Sequence, residues 1–182
     1  NLADSDADIA GYLAAPGFKS SYYHSLLDAG AVVALNMGVD LGSADFGAKL
    51  ARGVRFLIGR EGPFLIHCTE GKDRAGFVGA VFEALAGAKL QDIVADYMMS
   101  YENYYGVKKG SDQYAAIANS NIVASLATTL CRLPKGSDLS GVDLATAARG
   151  YLLGIGLNGD EVSALAAKLS VAPAVVAPNA AG

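Results

Sequence analysis

The chain has 182 residues, 52% of them hydrophobic, which is one domain's length and enough apolar material to bury a substantial core. Eighteen acidic against fourteen basic residues leave a net charge of -4, which excludes the broad cationic surface that nucleic acid or an anionic membrane requires and leaves room only for a local positive pocket. Two cysteines, Cys68 and Cys131, are too few for a disulfide framework, and no uninterrupted apolar run reaches the roughly 18 residues that cross a bilayer.

Taken in chain order, residues 1–4 read as the end of a strand. Residues 5–29 are ambiguous, with a helix over 6–13 and a mixed Tyr, Ser and Leu stretch after it. The apolar run at 31–36, between Gly30 and Gly38, predicts a strand buried on both faces. Ser43 then caps a helix whose apolar positions Phe46, Leu50, Val54, Leu57 and Ile58 recur at spacings of three and four. Gly62 and Pro63 end that helix and launch a second strand, Phe64-Leu65-Ile66, which runs into His67. Strand, helix, strand in this order implies parallel pairing, and it sets Cys68 at a strand's carboxyl end, where such sheets bind ligands.

Helices are expected downstream over 74–86, 90–104, 111–130, 144–153 and 161–169. Gly87, Gly106 and Pro134 punctuate them, and Asn158-Gly159-Asp160-Glu161 has the form of a capping box. The Pro- and Ala-rich segment 171–182 lacks helical periodicity and reads as a loosely held tail. The expected fold is therefore an α/β domain over 1–170: a small, mainly parallel sheet flanked by helices, with a helical C-terminal third.

The segment His67-Cys68-Thr69-Glu70-Gly71-Lys72-Asp73-Arg74 carries the chemistry. A loop that opens a helix presents unsatisfied backbone N–H groups, so residues 69–74 can cradle phosphate oxygens. The same field, with Lys72 and Arg74 beside it, favours the thiolate form of Cys68. Arg74 is a planar fork of donors that can grip two phosphate oxygens at once. The alternative is a buried strand-end cysteine, against which Gly71 and Arg74 argue. For Cys131 the simplest role is a small apolar core residue.

This loop resembles the active-site signature of the cysteine-dependent protein tyrosine phosphatases: His-Cys, five residues, then Arg. Gly71-Lys72-Asp73-Arg74 is most similar to the bacterial members whose loop reads His-Cys-x-x-Gly-Lys-Asp-Arg, a branch acting on phosphoproteins and, in some members, phosphoinositides. The resemblance implies further strands ahead of residue 1, a nucleophilic Cys68, a loop-holding His67 and no metal or other cofactor. It also implies a phosphotyrosine protein as substrate, with a phosphoinositide as the rival that Lys72 keeps open by offering charge to a second phosphate. For the general acid it implies two candidates. Asp73 sits directly before the arginine, where the lipid-active branch has its acid; Asp40, 28 residues ahead of Cys68, lies near the position of the mobile acid loop in many tyrosine phosphatases. Asp45 instead suits the first turn of the following helix. Ala75 departs from the family, most of whose members have Ser or Thr there to hydrogen-bond the departing thiolate. That departure leaves a catalytically weak phosphate-binding module as a further reading. The tyrosines at 97, 101, 104 and 105 have the spacing of helix packing rather than of a substrate cage.

Overall fold

In the computed structural model, residues 1–170 are described; the expected tail, 171–182, lies outside them. The elements in order are α1 (Asp6–Ala14), α2 (Ser21–Asp28), α3 (Ala44–Ile58), α4 (Arg74–Leu85), α5 (Leu90–Tyr105), α6 (Asp112–Ala118), α7 (Leu144–Gly154) and α8 (Gly159–Ser170). Two π-helical turns, Asn119–Val123 and Leu126–Leu130, follow α6. They divide what periodicity alone predicts as one helix over 111–130.

Among the described residues there is no β-strand, which overturns the expected mainly parallel sheet. A strand is stabilised by lateral partners, and the two apolar runs do not pair with each other. Residues 1–4 lie between them instead. Asn1 N donates to the Val33 carbonyl at 3.0 Å, Leu35 N to the Asn1 carbonyl at 3.0 Å and Met37 N to the Leu2 carbonyl at 2.8 Å. Toward the other run a single bond is made, from Leu2 N to the His67 carbonyl at 2.8 Å. These bonds hold three pieces side by side without propagating into a ladder. The runs at 31–37 and 63–67 are consequently irregular chain, and the architecture is helical.

The core is built around α4, whose Phe77, Val78, Ala80, Val81, Phe82, Ala84 and Leu85 are all buried. A helix apolar around its whole circumference needs neighbours on every side, and α5, α7 and α8 supply them. Phe46 of α3, Phe77 of α4 and Tyr151 of α7 meet edge to face, with ring centroids 6.0 and 5.9 Å apart. The caps are those the sequence signals: Ser43 Oγ accepts from Phe46 N at 3.2 Å, and Asn158 and Glu161 exchange bonds of 2.9 and 2.8 Å at the start of α8. Helix α3 packs on α8. It also lies against the 31–37 segment so closely that a Cβ at Gly53 would stand 2.8 Å from Leu35 Cδ1.

Candidate active site

Cys68 and Arg74 are the two ends of a loop that stands on the N-terminus of α4. Asp73 is the N-cap residue, yet its carboxylate caps nothing. It turns outward to accept from Lys72 Nζ at 2.7 Å. Gly71 has φ of +77°, a conformation L side chains rarely adopt, which lets the chain fold back over itself. Among the described residues no backbone N–H of Thr69, Glu70, Gly71, Lys72 or Asp73 donates to a protein acceptor. A run of unspent N–H groups at a helix N-terminus is the arrangement that binds an oxyanion.

Arg74 is fixed at two points and open at a third. Its Nη1 donates to the Met37 carbonyl at 2.8 Å and its Nη2 to Thr69 Oγ1 at 2.9 Å. Its Nε is buried and has no partner among the described residues. Such a buried donor costs free energy until an acceptor arrives. His67 is half-buried, and burial pushes its imidazole below the ordinary range, so the ring is neutral at neutral pH. Cys68 is also half-buried, packed against the core's edge.

The flank toward α5 is a chain of contacts. Tyr97, Tyr101 and Tyr105 stack along the helix with centroids 5.7 and 5.6 Å apart. Tyr97 lies against Gly76, where an added Cβ would come within 2.7 Å of its ring. Tyr101 accepts from Asn121 Nδ2 at 2.8 Å, which anchors the stack to the first π-helical turn. Tyr105 donates to Glu70 Oε2 at 2.9 Å, and Glu70 in turn faces Lys72 Nζ at 3.3 Å. The Tyr105 hydrogen bond, then Lys72, holds the Glu70 carboxyl below its usual range. Lys72 is held well above its ordinary range, chiefly by its bond to Asp73.

Cys68, Thr69, Glu70, Gly71, Lys72, Asp73 and Arg74 thus share one loop, and among the described residues no hydrogen bond or ion pair joins Asp40 to it. Asp40 is exposed in the turn before α3, where its Oδ1 accepts from Gly42 N at 3.2 Å. Its link to the loop is indirect, through the Met37 carbonyl that Arg74 binds. Asp45 lies in the first turn of α3 and pairs with Lys49 at 2.8 Å. Cys131 is half-buried, and burial pushes its thiol up. The tyrosine spacing signals the packing of Tyr97 and Tyr101, which are buried, but gives no sign of the bond from Tyr105 to Glu70. Met37, which acts through its carbonyl, and Asn121, which arrives from a π-helical turn, carry no sequence signal.

The profile of the tyrosine phosphatase family matches residues 35–171. A tyrosine-protein phosphatase of Nostoc commune is 39% identical over 56 residues, a stretch covering 31% of this chain and 19% of that protein. No solved structure matches.

Proposed function

Because the chain belongs to the tyrosine phosphatase family, we propose that it hydrolyses phosphomonoesters through a phosphocysteine intermediate, with phosphotyrosine in a protein as its substrate. The observation that carries this reading is the set of unspent donors around Cys68: the N–H groups of residues 69–73 and the partnerless Nε of Arg74. An incoming phosphate satisfies all of them at once, and the charge that builds on its equatorial oxygens strengthens the same bonds. Cys68 Sγ attacks phosphorus, forming the S–P bond as the P–O bond to the leaving group breaks. Asp73, in its protonated form, delivers the proton to the departing oxygen, which leaves as the alcohol. Water then attacks phosphorus, giving a proton back to the Asp73 carboxylate as the S–P bond breaks, and the Cys68 thiolate and inorganic phosphate are released. His67, neutral and half-buried, supports the loop rather than moving a proton. Asp40 is the alternative acid, carried on the turn that adjoins the Arg74 anchor.

Phosphotyrosine is favoured over a phosphoinositide because Lys72 is already engaged by Asp73 at 2.7 Å and Glu70 at 3.3 Å. A cation held by two carboxylates is a poor receptor for a second phosphate. Turnover of a phosphotyrosine peptide, a phosphoinositide and para-nitrophenyl phosphate, each with EDTA, tests the proposal. The expected order places the peptide first, and Cys68→Ser abolishes all three. Wild-type turnover in the serine variant sinks the phosphocysteine mechanism; a protein that binds phosphate but turns over nothing is the weak binding module that Ala75 keeps open.

A further inference from the structure

Lys72 lies between two carboxylates, and the mechanism above uses only one of them. Its Nζ is 2.7 Å from Asp73 Oδ2 and 3.3 Å from Glu70 Oε2, a short charge-assisted bond and a looser ion pair. The lysine is the shielded member of the three: its side chain is 20% exposed, against 48% for Glu70 and 49% for Asp73. The two carboxylates are therefore the parts free to adjust around it.

Glu70 is also tethered from a second element. The Tyr105 hydroxyl, on the last residue of α5, donates to the same Oε2 at 2.9 Å. A half-exposed glutamate left alone has many solvated rotamers, and the tether holds its carboxylate beside an ammonium that is bound more closely to another group. The remaining titratable groups that face Lys72 and Asp73 are Tyr97 and Tyr101 on α5. Cys68 and Arg74 bound the loop itself, Arg74 turning to the Met37 carbonyl and Thr69 Oγ1, and His67 ahead of them is neutral. Among the described residues, Glu70 is thus the one carboxylate besides Asp73 that reaches Lys72.

We propose that Glu70, tethered by Tyr105, is a positioning residue that holds Lys72 whenever Asp73 carries the proton it delivers. The inference rests on the reading of Asp73 as the general acid. A protonated carboxyl has lost the charge that makes its bond to an ammonium strong, so Lys72 then needs another partner. Glu70 closes the remaining distance. When the proton passes to the leaving oxygen, Asp73 is a carboxylate again and recovers Lys72; when water returns a proton in the second step, Lys72 goes back to Glu70. The ammonium keeps an anionic neighbour throughout the cycle, and the acid can take up its proton without leaving a lone cation in the loop.

The test follows kcat/KM against pH for an alkyl phosphate, which needs the acid, and an activated aryl phosphate, which needs it little. Glu70→Gln still offers an oxygen to the Tyr105 hydroxyl and removes only the charge. It should move the alkaline limb of the alkyl profile to lower pH, so that the rate at a fixed pH on that limb falls about threefold, with a smaller loss on the aryl phosphate. Tyr105→Phe should move the limb the same way and by less. The double variant should match Glu70→Gln, because the hydroxyl acts only through Glu70; a packing role for it would add a further loss. A limb that stays in place or moves to higher pH in Glu70→Gln, or additive losses in the double variant, overturns the proposal. Asp73→Asn separates this failure from that of the acid reading. If that variant loses alkyl turnover selectively, Asp73 stands as the acid and the contrary results count against Glu70 alone; equal loss on both substrates removes the acid and this proposal with it.

Discussion

The two flanks of the Cys68–Arg74 loop are held in different ways. Toward α5 the grip is helix-borne and mostly buried: Tyr97 fills the space over Gly76 and Asn121 anchors Tyr101, while Tyr105 ties down Glu70 from the exposed end of the stack. Toward the Asp40 turn, Arg74 meets a backbone carbonyl in irregular chain, and residues 38–40 are exposed. Local stability follows buried contacts, so the first flank is the fixed wall of the candidate site and the second is its adjustable side. The same division separates the acid candidates, since Asp73 belongs to the fixed flank and Asp40 to the adjustable one.

The largest effect that tests this comparison comes from Asp73→Asn and Asp40→Asn. Loss of the true acid should lower turnover of an alkyl phosphate by roughly 10²–10⁴-fold, and of an activated aryl phosphate far less, because a good leaving group departs without a proton. The fixed-flank reading expects that signature from Asp73→Asn. Should Asp40→Asn produce it, catalysis depends on closure of the exposed turn. Equal losses on both substrates in both variants place the acid elsewhere.

A smaller effect should appear in stability. Gly76→Ala brings a Cβ to 2.7 Å from Tyr97 Cδ2 and Cε2, so the buried ring or α5 must shift. Overpacking of this kind costs about 1–3 kcal/mol, partly offset by the roughly 1 kcal/mol by which Ala exceeds Gly in helix propensity. Gly79, one turn along α4, has nothing within 4 Å of an added Cβ. Urea unfolding should therefore show Gly79→Ala stabilised and Gly76→Ala destabilised, and Tyr97→Val should relieve only the latter. If both alanine variants gain stability, α5 does not clamp the loop.

The site was far more legible in the sequence than the fold. Cys68, Gly71, Asp73 and Arg74 sit within seven consecutive residues, and the helix that follows them starts at Arg74 itself, so local spacing is enough to nominate them as candidates. Helices close their hydrogen bonds within a few residues, which is why the Ser43 cap and the Asn158–Glu161 box could be placed in advance. A sheet depends on partners distant in sequence. The apolar runs at 31–36 and 64–66 satisfy the pattern for buried strands, but among the described residues the pairing is confined to bonds with residues 1–4, and periodicity has no means of reporting that. The π-helical turns escaped for a related reason, since a one-residue widening leaves the apolar spacing nearly intact.

The smallest expected effect lies at the α4–α5 interface behind the fixed flank. Glu83 of α4 is half-buried beside Asp96 of α5; burial first, and the neighbouring carboxylate second, push its carboxyl from an ordinary 4.5 up to about 7. Below about 4.5 folded and unfolded chains both keep this proton, and the group does not oppose folding. As pH rises from there through 7 the unfolded chain releases the proton first, so this group lowers stability progressively and its cost is complete once the folded pKa is passed. The full shift overstates the cost of a half-exposed group, and about 1 kcal/mol is expected after solvent screening. Glu83→Gln carries no charge in either state. Its urea midpoint should fall less than the wild type's between about pH 5 and about pH 8. Asp96→Asn should recover part of that difference by removing the repulsion while leaving the burial. Identical slopes in all three proteins would mean that Glu83 escapes to solvent as it ionises, and that the helix pair behind the tyrosine stack yields more readily than its packing implies.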